Sequence, residues 1–132
     1  MAPTGRKTRV MADEVTLTLP REPEFQRVAH LVLGGLAVRL NLTIENLEDM
    51  QIALDSLLDR EAGDAAHAIT VRMSPTDTSL VTVIGPFGQR LLEEIDRDAG
   101  DELGLRRVLE STVDEVEVEG DSVKLTMRVG RG

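Results

Sequence analysis

"VTLTLPREPEFQRVAHLVLGGLAVRLNLTIENLEDMQIALD", residues 15–55, decides the fold. Val15, Leu17 and Leu19 alternate with Thr16 and Thr18 until Pro20, the pattern of a strand with one buried face. The period then changes. Phe25, Val28, Ala29, Val32, Leu36 and Leu40 recur at three- and four-residue spacing, which predicts a helix over residues 21–40. Gly34 and Gly35 lie inside it and cost helix stability, so they mark a close approach by another backbone and not a break. A second helix is predicted over residues 41–63. Thr43 is its N-cap, Glu45, Glu48 and Asp49 place negative charge in its early turns, and Gly63 suits its end. Its apolar stripe is Ile44, Leu47, Met50 or Gln51, Leu54 and Leu57/Leu58.

Downstream the chain turns to strands. "AAHAITVRM" (65–73) and "SLVTVIG" (79–85) are β-rich runs joined by "SPTDT", and together they predict a hairpin. "GPFG" (85–88) is a loop. "QRLLEEIDRDAGDE" (89–102) is a short helix with Leu91, Leu92 and Ile95 on one face. "LGLRRVLEST" (103–112) is another, with Leu105, Val108 and Leu109 inward. The chain closes on a second hairpin. In it Val116 and Val118 alternate with acids, Gly120-Asp121 turns, and Val123, Leu125, Met127 and Val129 alternate without a fault. The order β-α-α-β-β-α-α-β-β predicts an α+β two-layer sandwich. Its mixed, mostly antiparallel sheet is covered on one face by helices. A basic flexible tail (1–14), a single domain (15–129) and a short tail (130–132) are the expected organisation.

Composition narrows the function. At 132 residues and 41% hydrophobic, the chain is one domain with a real core, built almost without aromatics because Phe25 and Phe87 are the only two. The net charge is −9. Arg6, Lys7 and Arg9 fall in residues 1–11, which hold no acid, so 12 bases face 24 acids over the rest, a net of −12. Such a body repels phosphate backbones and argues against nucleic acid. No apolar run approaches a membrane span. The absence of cysteine leaves no disulfide or thiolate metal site and fits a cytoplasmic location.

Few residues offer chemistry. His30 and His67 stand without companions at ligand spacing. There is no G-x-S-x-G, Walker A or G-x-G-x-x-G signature. Ser56 has no base near it in sequence. Asp55 and Asp59, one turn apart, would either share a cation or form a solvated helix face.

From about Val15 to Val129 the chain resembles the anti-sigma-factor serine/threonine kinases, within the histidine kinase/Hsp90-like ATPase fold. Residues 15–55 look like that family's first strand and paired helices, with "ALDS" (53–56) where the family carries a "VDE" motif. "GLRRVLESTVDEVEVEGDSVKLTMRV" (104–129) looks like its glycine-led helix and closing strands.

The resemblance implies a Glu on the second helix that promotes phosphoryl transfer, and four residues later an Asn that coordinates Mg²⁺. Those positions fall on Ser56 and Arg60, and neither side chain does that chemistry. It implies an Asp-x-Gly-x-Gly loop whose Asp hydrogen-bonds adenine. Val83, Gly85 and Phe87 take its three places. Of the later glycine-rich box, Gly104-Leu105 remains, with Leu103 where another glycine is often found.

The catalytic positions Ser56 and Arg60 are therefore expected to be degenerate. Asp55, Asp59, Gly85 and Gly104 are expected to be vestiges of cofactor binding. No cofactor and no metal are expected, with ATP and Mg²⁺ bound only if the site proves functional. The function implied is that of an anti-sigma-factor-like regulator acting by protein–protein binding. The alternatives are an active kinase phosphorylating an anti-sigma antagonist with MgATP, or a non-catalytic oligomerisation domain. Its partners would be a sigma factor or an anti-sigma antagonist, and a second copy in a homodimer.

Overall fold

Two hairpins and a lone first strand make one sheet. The computed structural model describes residues 14–60, 68–97 and 104–129, apart from the side chains of Arg60 and Arg97. The elements are β1 (Val15–Pro20), α1 (Gln26–Leu40), α2 (Ile44–Arg60), β2 (Ala68–Pro75), β3 (Ser79–Gly85), α3 (Gln89–Arg97), α4 (Leu105–Glu110), β4 (Glu115–Glu119) and β5 (Ser122–Arg128). The strand order is β1-β2-β3-β5-β4, and all four pairings are antiparallel. The architecture is the expected α+β sandwich. Gly63, His67, Leu103 and the expected tails, Glu14 excepted, lie outside the described residues.

Strand alternation sets the two layers. Ile69, Val71 and Met73 of β2, Leu80, Thr82 and Ile84 of β3, and Val123, Leu125 and Met127 of β5 are buried on the helix side. Thr70, Arg72, Val83, Lys124 and Thr126 point to the open face. β2 runs two residues further than its periodicity suggests, to Pro75, which pairs with Leu80. β1 stops at Val15, opposite Met73, so no neighbour on that side needs the N–H that proline lacks. Gly120 turns the last hairpin at φ +62°, the left-handed conformation glycine adopts without strain.

The helices are built as their sequence dictates, with three differences in which positions face the core. Residues 23–25 form a 3-10 turn and α1 begins only at Gln26. Asn41 ends α1 in the left-handed conformation (φ 58°), with the Leu42 N–H donating to the Ala37 carbonyl. Two residues later Thr43 caps α2, its Oγ1 accepting the Asn46 N–H at 2.9 Å. A three-residue connector therefore reverses the chain between the helices.

The first difference concerns the glycines. α1 runs unbroken through Gly34 and Gly35, but a Cβ built at either meets nothing within 4 Å, so the expected close approach is absent among the described residues. The buried stripe is Ala29, Leu33, Leu36 and Ala37. Gly34 and Gly35 lie one and two 100° steps beyond Leu33, turning toward solvent. The second and third are Ile44 and Val108, placed in apolar stripes by spacing but 72% and 37% exposed. In α2 the buried stripe is Met50, Ala53, Leu54 and Leu57, and Ile44 precedes it in the first turn. In α4 the four-residue pair Leu105 and Leu109 takes the core face alone.

Candidate functional site

Ser56, Asp55 and Asp59 sit on α2, and the local geometry engages all three. The Ser56 hydroxyl donates to the Ile52 carbonyl one turn back, at 2.8 Å, which turns it onto its own helix. Asp55 Oδ1 is 2.9 Å from His30 Nε2, a half-buried pair bridging α1 and α2. Asp59 Oδ1 accepts from Gln26 Nε2 at 3.0 Å. The two acids are thus rungs between the helices. His30, which has no companion at ligand spacing in the sequence, is the donor side of one of them. Arg60 is the last residue of α2.

The 85–88 loop is held from three sides. Gly85 ends β3 against the last hairpin, where an added Cβ would lie 2.3 Å from Ser122 Oγ and 3.0 Å from Ser122 Cα. The Phe87 N–H donates to the Asp121 carbonyl at 2.8 Å. Its ring is 6% exposed and belongs to the main core. The Arg21 guanidinium lies 6.0 Å from the ring centroid and donates to the Pro86 carbonyl. A side chain that fills the core therefore stands where the resemblance calls for glycine. Val83, two residues before Gly85, is half-buried on the open face, paired across the sheet with Arg72 and Lys124.

Gly104 is buried and leads α4 in extended conformation (φ −78°, ψ 162°). Its carbonyl accepts from the Arg107 and Val108 N–H groups. The tertiary structure adds Arg106, which sequence reasoning missed. Its Nε donates to Glu110 Oε2 at 2.8 Å, one Nη to the Ile95 carbonyl at 2.8 Å and the other to the Val116 carbonyl at 3.3 Å. One guanidinium thereby ties α3, α4 and β4 together. The four-residue spacing to Glu110 was the only signal in the sequence.

The chemistry available is modest. A hard cation such as Mg²⁺ takes oxygen ligands. Among the described residues, no group of three His, Asp or Glu side chains converges on a point where a metal would sit. No described helix is long and apolar enough to cross a membrane.

Comparison with known proteins gives a consistent set of relatives. The serine-protein kinase RsbW of Listeria monocytogenes serovar 1/2a is 31% identical over 140 residues, covering 88% of this chain and 87% of that protein. The RsbW of Listeria innocua shows the same identity and coverage. That of Bacillus velezensis is 26% identical over 128 residues, covering 83% and 80%. No protein-family model matches the chain.

Proposed function

Since the chain belongs to the RsbW family of serine-protein kinases, we propose that it is an anti-sigma-type regulator that works by binding other proteins and without ATP-dependent catalysis. One observation carries the second half of that statement. The α2 oxygens nearest the degenerate positions are committed elsewhere, with Ser56 on Ile52, Asp55 on His30 and Asp59 on Gln26. Phosphoryl transfer works by positioning and by charge stabilisation around Mg²⁺ and the phosphates. Ser56 supplies no carboxylate for it, and Arg60 repels the cation. The residues present do not fit a Mg²⁺–nucleotide group held as the resemblance implies. The buried Phe87 ring adds to this, because it fills the loop where an open glycine would admit a ligand.

The partners in this reading are a sigma factor or an anti-sigma antagonist, and the protein acts in the cytoplasm as a homodimer. The acidic body favours a partner surface with basic residues, which it would draw in by long-range attraction. The relatives' name, serine-protein kinase, favours a second reading in which MgATP binds and is used.

Titration calorimetry with ATP and ADP, with and without Mg²⁺, separates the two. No heat at about millimolar nucleotide is the expected result, and Mg²⁺-dependent binding near micromolar would overturn the non-catalytic reading. Capture of a sigma factor or antagonist by the immobilised chain tests the regulatory half independently.

A further inference from the structure

The open face of the sheet carries a hollow of about 290 Å³, at the end where β3 meets the last hairpin. Ser79, Val81 and Val83 each send a side chain to that face, and Gly85, next in the row, has none to send. The space it leaves lies between Thr70, its partner on β2, and Ser122 of β5. A Cβ at residue 85 would stand 2.3 Å from Ser122 Oγ, so any other residue there would begin to fill the hollow. The crevice beside Leu19, Phe25 and Leu58 is far smaller, about 20 Å³, with room for about one water. The hollow is also separated by the sheet from α2, and so from Asp55, Ser56 and Asp59.

Its charged groups stand at two ends. At one end is Arg72. Among the described residues its guanidinium meets only Glu14, through Nε at 3.8 Å, the outer limit of an ion pair. Both Nη groups keep their hydrogen-bonding capacity, in the planar fork that matches a carboxylate. At the other end is Asp121, whose Oδ1 takes a long hydrogen bond, 3.3 Å, from the Ser122 hydroxyl. Val83 and Pro86 supply apolar surface between the ends. Thr70 Oγ1 is held by Thr18 Oγ1 at 3.0 Å, which orients a hydroxyl in the wall. Lys124, beside Val83, is drawn aside to Glu119 at 3.6 Å. β2 and β5 are two strand spacings apart, about 10 Å, a gap that one small molecule reaching between two side chains can span.

We propose that this hollow binds a small zwitterion of the amino-acid class, its carboxylate on Arg72 and its ammonium group on Asp121. Size and charge select that class. The volume falls at the lower end of ligand pockets, about 300–1,000 Å³, and suits a small molecule. One base faces one acid across it, which matches a ligand carrying one charge of each sign. A polyanion would meet Asp121, Glu14 and the net −12 carried beyond residue 11. A simple carboxylate would leave Asp121 without a partner, and a simple amine would leave Arg72 without one. This site goes beyond the regulatory reading above and requires neither nucleotide nor sigma factor.

Nuclear magnetic resonance of the isotope-labelled full chain tests it, with glycine, L-alanine, L-glutamine and γ-aminobutyrate each titrated to about 50 mM. At least one is expected to bind with a Kd of about 1 mM or tighter and to shift the amides of Thr70, Val83, Gly85 and Ser122. The acid and the amine that keep one end of that ligand (butyrate and butylamine for γ-aminobutyrate) should bind at least about tenfold more weakly. Arg72→Gln and Asp121→Asn should each weaken the zwitterion at least about tenfold. Asp121→Asn should also erase the preference for the zwitterion over the plain acid, which a merely structural role would not do. Both side chains are exposed, so the melting curves should stay unchanged. Arg107→Gln, an exposed base on α4, should leave binding within about twofold. Absence of binding by all four probes would overturn the proposal. So would a plain acid that binds as tightly as the zwitterion, or shifts confined to α1 and α2.

Discussion

Replacing Phe87 by alanine tests whether the 85–88 loop is a filled part of the core or an adaptable binding loop. The ring is 6% exposed, packed in the main cluster and capped by the Arg21 guanidinium. Removing it forfeits a transfer term of about 2–3 kcal/mol. The void left behind raises the cost to about 3–5 kcal/mol, because the β3 end and the last hairpin are tied and relax little. Loss of the Arg21 contact, at the outer limit of a cation–π distance, adds about 0.5 kcal/mol or less. For a domain whose whole stability is about 5–15 kcal/mol, this is a large fraction. The chain has no Trp or Tyr, so urea unfolding is followed by far-ultraviolet circular dichroism. With a slope of about 2 kcal/mol/M, the midpoint should fall by about 2 M. Phe87→Leu, which keeps most of the volume, should lose about 1–1.5 kcal/mol and remain measurable if the alanine variant is too unstable to study. A cost below about 1 kcal/mol for alanine would refute the idea that the ring seals this loop.

Two further substitutions probe the packing around it. Thr82 is fully buried in β3 and its hydroxyl has no hydrogen-bond partner among the described residues, so Thr82→Val should raise stability by about 1 kcal/mol in the same urea titration. A loss of stability there would mean the hydroxyl is satisfied after all. Gly85→Ala places a methyl 2.3 Å from Ser122 Oγ and should cost about 1–3 kcal/mol. Ser122→Ala in the same chain should recover only part of that, since the Ser122 Cα, 3.0 Å away, remains. Full recovery would show that the clash is with the hydroxyl alone.

Much of the fold was legible because burial on one face imposes a period. β1, both hairpins, and the Leu91, Leu92 and Ile95 face of α3 follow from alternation or three- and four-residue spacing, and Thr43 announced its cap by residue type. The residue types at positions 56 and 60 were likewise plain in the chain, since a serine and an arginine declare their chemistry wherever they lie.

What periodicity could not supply is which way an individual side chain faces when a stripe is wider than the surface available to bury it. Ile44 and Val108 fit their stripes and are exposed. Gly34 and Gly35 suggested a close approach and instead leave open space. Nor does the linear chain bring together groups far apart in it. His30 meets Asp55, Gln26 meets Asp59, Arg21 covers Phe87, and Arg106 joins Ile95 to Val116 only once the layers have packed. The sequence by itself determined the elements and their order, because these depend on local spacing and residue chemistry. The tertiary structure decided what the remaining polar groups do, because a hydrogen bond depends on distances that packing alone sets.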